Sequence, residues 1–219
     1  MLEGEVAIRN ANRIATVVLL GLSLMGCSLM IYPAARAFGG MKESELKKCR
    51  AAFAVMQEKI HTGTVVVYPA LVVKGGMPSW DAEGARRLSA ILQSENSLAA
   101  AVAPQEPGVP FEPMKRNQLR YLNERALAYA AWTRAQPRTG DYCWFSEIFM
   151  DAQGNEVYAI QVYVVEAEGA IPYARLANSH HFGPTPLREV SGALRFMVKL
   201  FLNDLEKDPL HIWPKYGVG

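Results

Sequence analysis

The chain has 219 residues, 50% hydrophobic and 20% charged, with a formal net charge of +2. Its length and composition suit one globular domain that folds without a metal or a dense disulfide framework. The near-neutral balance, with basic pairs such as Lys47-Lys48, Arg86-Arg87 and Lys115-Arg116 lying beside acids, offers no phosphate-binding stripe, so no nucleic acid partner is expected.

Residues 1–13 are polar, and no charged residue occurs from Ile14 to Ala35. About 20 apolar residues suffice to cross a bilayer as a helix, and a shorter apolar run marks a secretory signal. Three readings follow. In the first, Leu24-Met25-Gly26-Cys27 resembles the bacterial lipobox, in which a leucine and a small residue precede an acylated cysteine; Cys27 is then the lipid-attachment residue. Ser28 fits sorting to the outer membrane, whereas Met25 and the apolar segment after Cys27 depart from the usual pattern. In the second, Ala35-Arg36-Ala37 is a cleavage site that releases a secreted domain. In the third, the run stays as an anchor, with Arg9 and Arg13 holding the N-terminus in the cytoplasm. All three place the chain from about residue 38 outside the cytoplasm, in the cell envelope. They divide it into 1–37, a signal or anchor with a short tether, and 38–219, a single domain with its core at about 60–207.

Residues 42–60 carry Leu46, Cys49, Phe53, Met56 and Ile60 at helical spacing. TVVVY (64–68) and Ala70–Val73 read as a strand buried on both faces, with Pro69 marking a bulge or an edge. Residues 75–78 read as a loop, and Asp81 as the cap of a helix that runs to about Glu95. A short strand at 98–103 and a proline-rich surface loop at 104–113 precede a helix over 115–135. The apolar stripe of that helix is Leu119, Leu122, Ala126, Tyr129 and Ala130. Strands at 141–150, 156–166 and 171–178, joined by short turns, predict an antiparallel meander, and a helix from Pro186 to about Lys207 closes the domain. The expected fold is α/β (α+β), one mixed sheet with helices packed on it.

The stretches TVVVYPA, AEGARRLSAIL and GDYCWFSEIFMDAQGNEVYAIQVYVVEAEGAIPYAR resemble the envelope α/β domains typified by the TolB N-terminal domain, with the CsgG and LpoB lipoproteins similar. Gly140-Asp141-Tyr142 and Glu168-Gly169 fall at matching places, and the resemblance spans about residues 60–207. It implies a non-enzymatic assembly or scaffold component.

Three cysteines, Cys27, Cys49 and Cys143, are too few for a disulfide framework and lack CxxC spacing for zinc. With Cys27 acylated, Cys49 and Cys143 form a candidate disulfide in an oxidising compartment, two buried thiols being the alternative. Asn178, His180 and His181 in the loop after the last strand, with Trp213 in the aromatic tail, form a candidate partner or ligand surface; for the tail, packing back on the domain is the alternative. Zinc binding by the histidines with Glu166 or His61 has no HxH or HExxH spacing behind it. A triad of Ser179, a histidine and Asp141 lacks the GxSxG elbow. Cys143 lies mid-strand, where a buried thiol is the ordinary state. Gly75-Gly76 is followed by no phosphate-binding motif. The expectation is a membrane-tethered, non-catalytic binding or scaffold module, without metal, cofactor or nucleotide, that serves envelope proteins or the cell wall. A metal-dependent or hydrolytic enzyme using the 178–181 loop is one alternative. The other is a soluble periplasmic protein with a small-ligand pocket lined by Trp80 or Trp144.

Overall fold

Pro69 breaks one long strand into β1 (Thr64–Val67) and β2 (Ala70–Lys74). In the computed structural model, which describes residues 41–114, 117–182 and 186–213, both halves run parallel to the same side of β5 (Tyr142–Met150). β1 pairs with its first half, from Val65↔Tyr142 to Val67↔Trp144, and β2 with its second, from Leu71↔Glu147 to Lys74↔Met150. On their outer side, β1 pairs in parallel with β4 (Ala99–Val102) and β2 pairs antiparallel with β3 (Met77–Asp81). Pro69, with no N–H to donate, sits where the outer partner changes. β6 (Val157–Glu166) and β7 (Tyr173–Asn178) continue antiparallel beyond β5, so the predicted meander completes a seven-stranded mixed sheet.

The loop expected at 75–78 is half strand. Gly75 and Gly76 have φ of 55° and 84°, the pair of positive angles that a two-residue hairpin turn requires, and Met77 begins β3 directly after them. Pro78 is tolerated because β3 is an edge strand and Pro78 lies opposite Val73, at a position that gives β2 no hydrogen bond.

Helices cover both faces. On one lie α1 (Glu43–Lys59) and α4 (Val190–Leu205), with α2 (Ala82–Asn96) against α4. There Phe53 stacks on Tyr173, and Phe201 meets Trp144 edge-on at 4.9 Å. The other face carries α3 (Gln118–Arg134), where Tyr129 stacks on Phe145 at 4.3 Å. Neighbouring residues of a strand point to opposite faces, so all nine residues of β5 are buried. Asp81 caps α2 as expected, its Oδ1 accepting the Gly84 N–H at 2.9 Å. The inward face of α3 keeps Leu122, Ala126, Tyr129 and Ala130 of the expected stripe but not Leu119, which is 44% exposed, and it adds Tyr121, Arg125 and Thr133. A one-turn helix, α5 (Pro209–Ile212), ends the described chain, which belongs to one compact unit, Gly40–Lys215.

The same alternation separates the two cysteines. Cys49 on α1 lies on the α4 side of the sheet, and Cys143, next to Trp144 in β5, faces α3. Both are buried, free thiols, so the candidate disulfide gives way to the alternative.

Candidate functional site

α3 runs antiparallel to β5 in matched steps. One helical turn of four residues rises about 6 Å, close to two residues of strand. Tyr121 therefore meets Phe149, Arg125 meets Glu147, and Tyr129 meets Phe145; Thr133 and Cys143 line one small void. Three of these rungs are aromatic or small, and one is a charge pair in the middle of the core. Arg125 is 3% exposed and Glu147 fully buried. Arg125 Nε donates to Glu147 Oε1 at 2.7 Å, Nη2 lies 2.5 Å from the same oxygen, and the Tyr129 hydroxyl donates to it at 2.9 Å. Burial pushes the Glu147 carboxyl up against the pull of Arg125, while Glu147 holds the guanidinium above its usual range. Glu147 Oε2 and Gln161 Nε2, on residues directly opposed in the β5–β6 ladder, have no protein hydrogen-bond partner.

The guanidinium reaches one step further. Its Nη1 donates to the Pro110 carbonyl at 2.6 Å, and Tyr121, one turn earlier on α3, donates its hydroxyl to the Glu112 carbonyl, also at 2.6 Å. Both acceptors lie in the proline-rich segment 104–114, which crosses this face of the domain as a strap without regular secondary structure. Gly108 lies flat against Trp132: a Cβ there would stand 2.8 Å from the indole nitrogen. Side chains of α3 thus fasten the strap at three successive places.

Between the strap and β3 runs an open groove of about 340 Å³, within the usual range for ligand clefts. Leu71 forms its floor, Pro78, Ser79 and Trp80 one wall, and Pro107 to Phe111 the other. Trp80, Phe111 and Met114 are half-buried on a core cluster of Leu71, Val73, Tyr121 and Phe149. Pro78 and Trp80 point to the α3 face, as does Leu71 opposite Trp80, so the groove lies on that face, beside the free edge of β3. Lys74↔Met77 closes the hairpin, so Val72↔Ser79 and Ala70↔Asp81 are its further hydrogen-bonded pairs. The N–H and C=O of Trp80 therefore point away from β2, toward this edge.

The residues singled out from sequence lie elsewhere. Ser179, His180 and His181 form an exposed 3₁₀ turn after β7, with His181 Nδ1 2.7 Å from Asn178 Oδ1. Asn178 pairs with Ala159 at the end of the sheet where β5 finishes, whereas Asp141, Glu166 and His61 lie at the end where β5 starts. The two ends are about 25 Å apart along β5, which separates the candidate triad and the candidate zinc partners. Among the described residues no group of three or more His, Cys, Asp and Glu is arranged to hold a metal ion. Trp213 is no partner surface: it is 4% exposed, its Nε1 donating to the Pro172 carbonyl at 2.7 Å and its carbonyl accepting from Arg50. Of the two tryptophans expected to line a pocket, Trp80 lines the groove, while Trp144 is buried and donates to Ser146.

The Gly140-Asp141 and Glu168-Gly169 positions do come together. Arg138 bridges Asp141 and Glu168, and Asp141 Oδ2 accepts the Thr64 N–H at 2.9 Å, tying the starts of β5 and β1. Burial and the neighbouring Glu168 raise the Glu166 carboxyl on the rim of the same charged cleft.

No protein-family model matches this chain, and no curated protein matches it. Cys27 and the run Ile14–Ala35 lie outside the described residues, among which no helix is long and apolar enough to cross a membrane.

Proposed function

We propose that this chain is a non-catalytic, membrane-tethered binding module of the bacterial cell envelope that takes an extended peptide segment of a partner protein into the groove between β3 and the strap. The observation that carries this reading is an apolar groove bordered by an edge strand whose Trp80 N–H and C=O turn away from β2. An extended peptide adds to such an edge by main-chain hydrogen bonds, here with Trp80, and alternate side chains enter the pockets beside it. Leu71, Trp80 and Phe111 suit an apolar or aromatic side chain. The likeness to envelope assembly domains supports the same role, and the apolar N-terminal run supports the tether, which keeps weak contacts effective by raising local concentration.

Selection of a phage-displayed random peptide library on the full chain tests the groove. Enriched peptides should carry apolar residues at alternate positions, and their affinity should fall at least tenfold on the Trp80→Ala variant. Enrichment indifferent to that substitution, or no enrichment, overturns the reading. The tether is tested by the intact mass of protein recovered from membranes. A start at Cys27 with added acyl mass, or an uncut N-terminus, agrees with it; recovery only as soluble protein starting at Phe38 refutes it.

A further inference from the structure

We infer that Arg125 is the positioning residue that holds the strap at its working distance from β3, and so determines which side chain the groove admits; this rests on the groove being the binding site. Packing alone does not account for an arginine here. The rungs on either side, Tyr121 on Phe149 and Tyr129 on Phe145, are aromatic, and a buried ion pair replaced by apolar residues of similar volume is often neutral or stabilising. What an apolar rung lacks is the third connection. The planar guanidinium donates at once to the sheet through Glu147, to the Tyr129 hydroxyl at 3.0 Å, and to the strap through the Pro110 carbonyl.

The strap needs such a fastening from outside. Pro104, Pro107, Pro110 and Pro113 recur every third residue, the period of the polyproline II helix, which makes no internal hydrogen bonds. Proline at four of ten positions removes donors that a sheet ladder would use. The carbonyls of Pro110 and Glu112 instead turn toward α3. Pro110 stands within the run Pro107–Phe111 that walls the groove, so the bonded carbonyl belongs to the wall itself. Arg125 is not among the groove's lining residues and acts through the strap; Glu147 fixes the orientation of the guanidinium from the sheet.

Arg125→Lys separates this role from general structural support. It keeps the positive charge beside Glu147, but one ammonium cannot serve Glu147, Tyr129 and Pro110 in the same planar arrangement. Limited chymotrypsin proteolysis is measured on the folded full chain, comparing cleavage after Phe111 in the strap with cleavage in β5 and β6. The expected result is cleavage after Phe111 at least tenfold faster, with β5 and β6 unchanged. Library-selected peptides should also bind at least tenfold more weakly and with a changed preference at the side chain that enters the groove. Unchanged cleavage of the strap, or faster cleavage with the same affinity and preference, overturns the inference. Should the lysine variant not fold, Arg125→Met combined with Glu147→Leu is read in the same way. Should the library yield no binder to the wild-type chain, the binding reading fails, and selection by Arg125 fails with it; cleavage of the strap then still decides whether Arg125 fastens it.

Discussion

Replacing Glu147 by leucine would leave Arg125 buried beside a hydrocarbon. Glu147 Oε1 supplies the guanidinium with two close contacts, at 2.7 and 2.5 Å, and takes the Tyr129 hydroxyl at 2.9 Å. After the substitution, among the described residues, only the Pro110 carbonyl and the Tyr129 oxygen remain as acceptors for a side chain that is 3% exposed. Hydrogen bonds to charged groups contribute about 1.5–3 kcal/mol each, and breaking a buried pair by removing one partner costs about 3–5 kcal/mol. With a urea slope of about 2 kcal/mol per molar, the unfolding midpoint of Glu147→Leu should fall by about 1.5–2.5 M. The companion variant, Arg125→Met with Glu147→Leu, removes both charges and fills the rung with apolar atoms. It should unfold within about 1 kcal/mol of the parent or be more stable, giving a coupling of roughly 3 kcal/mol between the two sites. Urea titrations followed by far-UV circular dichroism measure the parent, Glu147→Leu, Arg125→Met and the double variant. A shift below about 0.5 M for Glu147→Leu, or a double variant as unstable as the single one, would refute the assignment of this pair as a desolvated unit whose members depend on each other.

Burial raises both thiols to about 11, so at pH 8 almost no thiolate is present in the folded protein. Cys49 and Cys143 should resist an aromatic disulfide reagent until denaturant is added and then both react; fast labelling of either in the native state contradicts the burial. Trp213→Ala removes a side chain that is 4% exposed together with its bond to Pro172, and should cost about 3–5 kcal/mol in thermal or urea unfolding. A loss under 1 kcal/mol would mean that the tail does not pack. Gly140→Ala places a methyl 2.6 Å from Val66 Cγ2 and 3.0 Å from the Thr64 carbonyl oxygen, and should cost about 1–3 kcal/mol by the same assays. Replacing His180 and His181 together by alanine should change stability by less than about 0.5 kcal/mol, and no bound metal should be lost on elemental analysis.

The α/β class, the element order and the meander were legible because hydrophobic period carries them directly. Leu46, Cys49, Phe53 and Met56 announce α1 and are all buried, and the β-branched run from Thr64 announces the first strand. β3 escaped because Pro78 argues against a strand, and only the edge position that tertiary structure assigns makes it permissible. The groove was not legible, since it depends on where a loop crosses a sheet. Its supports did leave traces. Arg125 lies between Tyr121 and Tyr129 at four-residue steps, Glu147 is the one charged residue of its strand, and the strap's prolines keep a period of three. Each is unremarkable alone, and the ladder between α3 and β5 is what brings them together. The histidine loop stood out for its composition but sits alone at the far end of the sheet from the acids proposed for it.

That ladder also bears on the order in which the chain can fold. Its first rung joins Thr133 and Cys143, close in sequence across the α3–β5 turn, and each further rung adds one helical turn and two strand residues to a loop already closed. Loop-closure entropy is therefore paid in small instalments here, whereas pairing β1 with β5 must span far more chain. The expected consequence is a nucleus made of α3 and β5, onto which the amino-terminal β1–β2 strand docks late. Truncating Tyr129 should then slow refolding, while truncating Val66 should mainly speed unfolding; the reverse pattern in stopped-flow measurements would show that the sheet's parallel half forms first.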